Sequence, residues 1–316
     1  MAFTEYMIGK REQISWGDET TYGTAVTPTE IVGKDVVVTP NFSKGYQEVL
    51  SAGADSREIE GLVAGPEDLR FTLEFIPVNW KWLKYVFGSV SDGGSGPYTH
   101  DFSLSNTVQS FTLEWAKRGS TNHVITLAGC VVTRATVRFS KATGAGRDGH
   151  IRVSLDCVAK TLSTGTTITT LSPPTAIPFQ YRMVKFTLDG SEIPEVNNGE
   201  IVFDNTIDPN DSRYCNATYD KSIGEPIPKT FRISGRINVN IKDSTYFDLW
   251  DAETAVSGST KLEFIRGADD DLDLTFSDFF VLDAVAPTNI EGVTNTDIVF
   301  QSLSVSATAT DDIETY

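Results

Sequence analysis

One pattern occurs twice in this chain, and it constrains the fold more than any single residue does. Arg70–Gly88 reads RFTLEFIPVNWKWLKYVFG, and Phe231–Glu253 reads FRISGRINVNIKDSTYFDLWDAE. Each is an alternating strand that runs directly into a short aromatic helix. Further strands follow in the same order, to Lys160 in the first half and Ala307 in the second. KLEFIRG after the second helix matches FTLEWAKRG after the first, and the spacing of the pairs Val124/Leu274 and Ile151/Val299 stays near about 150 residues. A duplicated unit is a poor recipe for one active site. It suits a protein that builds a symmetric object from similar parts.

Within each unit the periodicity is mostly that of strands. LRFTLEFIPV places Leu69, Phe71, Leu73 and Phe75 on one face, and Pro77 ends the run. Asn79 is the expected N-cap of WKWLKYVF, with Trp80, Leu83 and Phe87 on the apolar stripe and Gly88 closing the helix. In the second unit Asp243 or Ser244 is the expected cap, and Tyr246, Leu249 and Trp250 form the stripe. SFTLEWAKR, VITLAG, VVTRATVRFS and HIRVSLDCVAK read as strands, and so do RMVKFTLDG, GEIVFDNTI and DIVFQSLSVSAT. KATGAGRDG reads as a hairpin turn between strands, not a phosphate loop, because no helix N-terminus follows it. SDGGSGPYTHDFSLSN reads as a loop, part of the Gly-rich insertion Gly88–Asn106 that only the first unit has.

The fold class expected is therefore mainly β with short helices: two tandem β-sandwich or open-barrel units, each with one helix packed on the sheet. The division is an N-terminal arm (1–30), a first unit (31–162), a linker (163–178), a second unit (179–308) and a C-terminal tail (309–316). The linker is placed by the uncharged Ser/Thr-rich stretch TLSTGTTITTLSPPTAIP. Two long polar stretches, Ser43–Gly65 and Asp208–Pro226, occupy the same position in their units and read as long loops or extended hairpins.

Chemistry is hard to find. The 316 residues carry Asp+Glu 43 against Lys+Arg 26, a formal net charge of −17, which argues against a surface that grips nucleic acid. No apolar stretch approaches the ~20 residues that span a membrane, and MAFTEYMIGKREQ lacks a signal-peptide core. Synthesis in a cytosol is the expectation. Cys130, Cys157 and Cys215 are an odd set without CxxC spacing, read as buried thiols. His100, His123 and His150 lack metal-ligand spacing and read as solvated or hydrogen-bonded. The sequons at Asn41 and Asn216 read as chance. Asp269, Asp271 and Asp273 alternate in GADDDLDL. They are a weak candidate cation site, since the Gly and Glu of an EF-hand loop are missing. Glu74 and Glu114 lie on strands but in no hydrolase motif. No catalytic residue and no cofactor is assigned.

Ser15–Thr29, SWGDETTYGTAVTPT, is similar to the start of many two-domain tail tube proteins. The plan of strand, long polar loop, strand, short aromatic helix and further strands extends that resemblance over nearly the whole chain. The chain thus resembles the major tail proteins of long, non-contractile-tailed (siphovirus-type) viruses. The resemblance implies a structural subunit of the virion tail: three two-domain chains forming a pseudo-hexameric ring, and rings stacking into a conduit for genomic DNA. It implies contact with other copies, with tape-measure, tail-terminator and distal-tail or baseplate proteins, and with double-stranded DNA that passes without sequence-specific binding. A membrane partner is not implied. Val49, Asp55, Arg57, Glu58, Asp211, Arg213, Tyr219 and Lys221 are the expected inter-ring contacts. The alternative is a β-sandwich carbohydrate-binding or adhesin module, which would need an exposed aromatic platform.

Overall fold

The computed structural model describes residues 9–50, 59–141, 149–213, 222–285 and 294–316. After a 3-10 turn at Gly9–Arg11 come β1 (Glu12–Asp18), β2 (Glu30–Ile31), β3 (Lys34–Val49), β4 (Gly61–Ile76) and α1 (Leu83–Phe87). Then follow β5 (Gly88–Gly94), β6 (Tyr98–Leu104), β7 (Phe111–Lys117), β8 (His123–Ser140), β9 (Arg152–Ala159) and β10 (Thr161–Gly165). The second half contains β11 (Val184–Leu188), β12 (Ser191–Glu192), β13 (Val196–Asp204), β14 (Arg232–Asn240), α2 (Thr245–Asp251), β15 (Thr260–Gly267), β16 (Asp270–Asp283) and β17 (Asn295–Asp311). All the pairings are antiparallel, as expected for short connections between alternating strands. The fold is mainly β, as the periodicity predicts.

The strand order repeats. The first half pairs β3-β4-β9-β8, and the second pairs β13-β14-β17-β16. The longest strands belong to two layers. The start of β8 pairs with β7 and β10, and its end pairs with β9; likewise the start of β16 pairs with β15. Both strands bend at matching places. Gly129 and Asp278 have positive φ, and the later register shifts follow Val132 and Val281. Both spacings are 149 residues (278 minus 129, 281 minus 132).

Apolar side chains from the facing layers fill the space between them. Leu69, Phe71, Leu73 and Phe75 are buried on one face, as the alternation requires. One cluster runs through both halves. One of its links is Trp80, fully buried, with ring centroids 4.6 Å from Phe179 and 5.2 Å from Phe264; Phe87, 5.7 Å from Phe203, is another. Burying a ring of this size contributes roughly 4–6 kcal/mol of transfer free energy.

Several elements differ from the sequence reading. Glu12–Asp18 lies in the stretch without clear periodicity, yet it is a buried strand paired along its length with β7. Its surroundings explain this. Trp16 packs edge-on against Phe75, Tyr85 and Phe111. Buried Glu19 then accepts hydrogen bonds from the Gly23 and Gly129 amides and from the Ser110 and Thr112 hydroxyls, all within 2.8–2.9 Å. The Gly-rich insertion is not a loop but the hairpin β5–β6, whose second strand pairs with β17 of the other half. VITLAG and VVTRATVRFS are one strand, β8. The helix starts later than expected. Trp80 lies in a turn ahead of it, and Asn79 accepts a hydrogen bond from the Lys81 amide at 3.4 Å, so it does not cap α1. Gly88 closes α1 with φ of 86°, as expected. Asp243 accepts from the Thr245 amide at 2.9 Å at the start of α2. The start of the proposed linker is β10, and Thr169 beyond it donates two hydrogen bonds to Glu114. The turn at 142–148 and Cys215 lie outside the described residues.

Candidate functional site

The surface that bears on assembly is the outer sheet. β8 carries a second pairing at its far end: Arg134–Ser140 pairs with β13, Asp204 to Asn198, as well as with β9. The two four-strand sets therefore join into one eight-strand run, β3-β4-β9-β8-β13-β14-β17-β16. The Phe139 ring, lying across the partner strand at this junction, needs glycine beneath it. A Cβ on Gly199 would lie 2.3 Å from the Phe139 ring. The run ends at β3, which pairs only with β4 among the described strands, and at β16. β3 carries Val37, 49% exposed, on its solvent face. Val202 of β13, on the same face at the internal junction, is 6% exposed. The stretch of β16 that follows its register shift, from Asp283 onward, leaves the described residues after Val285.

The outward face of this run is polar and ordered in rows. One row crosses the strands as Thr72, Asp156, Arg134, Asp204, Arg232. A second runs Arg152, Arg138, Glu200, Arg236. Between them lie Ser154, Thr136, Val202, Ser234 and Gln301. Arg138 Nε donates to Glu200 Oε2 at 2.7 Å, Thr72 Oγ1 to Asp156 Oδ1 at 2.8 Å, and Asn238 Nδ2 to Asp297 Oδ1 at 2.7 Å. With Arg70 beside Asp68 (3.1 Å), Arg152 donating to Asp35 (2.9 Å), and Glu74, Asp283 and Asp297 on the same face, the face holds six arginines and eight carboxylates. A groove of about 650 Å³ opens on it where the Thr206–Pro209 turn meets Arg70, Arg134 and Asp156. Sequence reasoning did not single out these arginines. The signal was present in TRATVR and RISGR, where arginine takes the positions between buried apolar ones.

Two further surfaces differ between the halves. The β3–β4 hairpin extends to Val49 opposite Gly61, with Tyr46, Leu50, Leu62 and Val63 exposed at 55–71%. In the corresponding stretch of the second half the described residues pack on the chain. Asn205 Nδ2 donates to the carbonyls of Val86 and Val132, both at 3.1 Å. Asp211 pairs with Lys229 at 2.5 Å, and Arg213 donates to the Glu67 carbonyl at 2.9 Å. Of the expected inter-ring contacts, Val49 is thus on the projecting hairpin, while Asp211 and Arg213 are engaged within the chain. Asp55, Arg57, Glu58, Tyr219 and Lys221 lie outside the described residues.

The helix anchors divide likewise. Trp80, Leu83 and Phe87 are buried, as is Tyr246, whereas Leu249 and Trp250 are half-buried. Asp269 sits exposed in the β15–β16 turn, and Asp271 and Asp273 point from β16. Burial, with neighbouring carboxylates, holds Asp271 and Asp273 above the ordinary aspartate range. Among the described residues no three acidic, histidine or cysteine side chains gather as a metal centre requires. His100 is fully buried on β6, between Asp92 (2.7 Å) and Asp311 (3.2 Å), and stacks on Tyr316 at 3.7 Å. Cys130 and Cys157 are free and buried, and burial pushes both thiols up. Glu74 and Glu114 belong to different sheets, and Glu114 is bonded to Thr169. None of the five tryptophans is exposed, so none offers the platform a sugar-binding module requires. No helix of the described residues is long and apolar enough to cross a membrane.

The sequence matches the family described as phage tail tube protein over residues 9–308. The chain belongs to that family. A search of curated proteins finds no match. As a phage tail tube protein it has a structural role in the virion tail. The long antiparallel run with open ends is the kind of surface a self-assembling tube subunit must present.

Proposed function

We propose that this tail tube protein closes a ring from three copies of the chain, each contributing two tandem tail-tube units, and that rings stack into a conduit for viral DNA. The observation that carries this is the junction between β8 and β13. One unit already adds its strand to the next within the chain, so the same step repeated between chains extends the sheet until it closes. Closure removes the exposed edges, which otherwise invite uncontrolled pairing. Three copies supply 24 strands. At ~4.8 Å per strand and ~40° tilt the circumference is roughly 150 Å, a backbone diameter of about 48 Å and a lumen of about 40 Å. That admits a nucleic acid duplex. On this reading the tube is of the long, non-contractile type. Its assembly takes place in the host cytoplasm, and its ends meet tape-measure, terminator and distal-tail proteins.

The test is the mass of the smallest soluble assembly together with negative-stain microscopy at high protein concentration. A trimer mass and stacked rings are expected. A hexamer of chains, or globular monomers under every condition, would overturn the three-copy ring.

A further inference from the structure

We infer that the C-terminal end of α2 is the seat for a second copy of this chain, which covers it with Phe42 and Lys44 of its strand β3. The inference rests on the proposed ring and names the residues that meet at each junction between chains. The two units correspond residue by residue through their pairings. Val132 and Val281, each just before its register shift, pair with Cys157 and Phe300. Those pair in turn with Phe71 and Gly235, so β4 and β14 correspond at a spacing of 164 residues (235 minus 71). The same spacing carries Gly88, which ends α1, onto Ala252, which ends α2. Phe247 therefore takes the place of Leu83, and Trp250 that of Val86. Leu69 and Ile233 correspond likewise, and their partners are Phe42 and Phe203. Phe42 thus stands at the place of Phe203 in its unit, and Lys44 at that of Asn205.

Within the chain the second unit covers the end of α1. Phe203 and Phe231 lie 5.7 and 5.5 Å from Phe87, and Asn205 donates to the Val86 carbonyl at 3.1 Å. The first half adds its own β5–β6 hairpin, with Phe102 6.3 Å from Phe87. Leu83, Val86 and Phe87 are buried as a result. The second half lacks that hairpin, because residues 252–259 run from α2 to β15 without a strand. Its aromatic side chains stay open: Phe247 is 47% exposed, and Trp250 is half-buried. They are also larger than their counterparts, Phe for Leu and Trp for Val. A partner arriving at this end therefore finds more apolar surface to bury than α1 presents to its own neighbour.

The second copy brings matching groups. Phe42, half-buried on the open edge strand, supplies a ring where Phe203 meets the end of α1. Lys44, exposed and 3.2 Å from Glu67, stands where Asn205 reaches the helix. Asp251 stands exposed at the place of Phe87, so the ammonium meets a carboxylate beside the aromatic contact. A polar pair at such a rim fixes orientation more than it adds affinity. The strands agree with this placement. Arg134 pairs with Asp204 at the internal junction, and Asp283 and Ser43 occupy their places at the junction between copies. Each chain carries both faces of the contact, so the contact is heterologous and can close a ring.

The test uses the full chain and reads its assembly mass across a dilution series. The wild type should reach the trimer mass. Trp250→Glu should need at least about tenfold more protein to do so, the loss expected when an aromatic anchor leaves an interface. Ile177→Glu, the same change at an apolar side chain exposed elsewhere, should leave the midpoint unmoved. Should Trp250→Glu lose its cooperative melt, Asp251→Lys carries the same test from an exposed position with a smaller rise, and adding Lys44→Glu to it should restore the trimer. The contact itself is read by mixing Lys44→Cys and Asp251→Cys chains before assembly, both with Cys215→Ser, and adding a short bismaleimide. A covalent dimer is expected from the mixture and none from either chain alone. Trimers of folded Trp250→Glu at the wild-type midpoint, or a mixture that assembles without linking, would overturn the seat. A wild-type assembly other than a trimer that still links the two cysteines would overturn the three-copy ring and leave the seat standing. A wild type that never self-associates would overturn both.

Discussion

The first half buries its helix and projects its hairpin, whereas the second half does the reverse. In α1 all five residues from Leu83 to Phe87 are buried; in α2 only Tyr246 is. The β3–β4 hairpin runs to Val49 and Gly61. In the second half the strands stop at Asp204 and Arg232, and the described residues between them meet the first half through Asn205 and Arg213. Two units with one strand order have thus diverged in what each end touches. The first half holds the molecule together at its centre and reaches outward. The second half closes over it, helped by β6 of the first half pairing with β17.

The largest expected effect separates the two helices. Trp80→Ala should cost about 3–5 kcal/mol in urea unfolding, because it empties a fully buried contact between halves, whereas Trp250→Ala, half-buried beside Phe247, should cost about 1 kcal/mol. Equal losses would mean that the halves share their core load.

The first half also carries a buried ion pair near its helix. Lys84, 1% exposed, lies 2.7 Å from Asp18, which also accepts from Tyr85. Burial disfavours the Asp18 charge, but the hydrogen bonds from Lys84 and Tyr85 outweigh it and hold the carboxyl below its ordinary value of 3.8. Asp18→Asn leaves the Lys84 ammonium buried and should cost about 2–3 kcal/mol at pH 7, less than for a fully enclosed pair because Asp18 is partly exposed. The sign in pH follows. A depressed carboxyl stabilises the fold above its unfolded value, and that stability is lost as pH falls below 3.8 through the folded value. Acid titration of the wild type against Asp18→Asn should show part of the wild-type slope missing from the variant; parallel curves would remove Asp18 from the account.

The two first strands offer a sharper contrast. Val202→Asp, buried at the internal junction, should cost about 2–4 kcal/mol. Val37→Asp, exposed on the open edge, should change chain stability by less than about 0.5 kcal/mol yet abolish the trimer mass. Trimers of Val37→Asp would place the interchain contact elsewhere. The smallest effect on stability belongs to the hairpin tip. Deleting 49–61 should leave the melting temperature and the rings intact while preventing stacking, and long tubes from that variant would assign stacking to other segments.

Much of this was legible from period alone. Leu69 to Phe75 gave their strand and its buried face, and LEF beside LEW gave the repeat. The missed elements share a cause. β1 and the β5–β6 hairpin lie where Gly, Thr and Asp dilute local pattern, and partners more than 80 residues away hold them, as in Ile14 with Trp115 and Ala307 with Phe102. Trp80 read as a helix stripe because spacing locates a residue on its own element but not on the surface it meets.

By itself the sequence determined which segments are strands, where two short helices follow them, that one plan occurs twice, and that acid exceeds base. Local sterics and side-chain period fix those properties. Only the tertiary structure decided that β8 pairs with β13 to make one sheet of eight strands, that the β3–β4 hairpin projects while the described part of its counterpart packs on the chain, and that six arginines gather among carboxylates on one face of that sheet. Those outcomes depend on register between distant strands, and register is set by which long-range contacts bury the most apolar surface together.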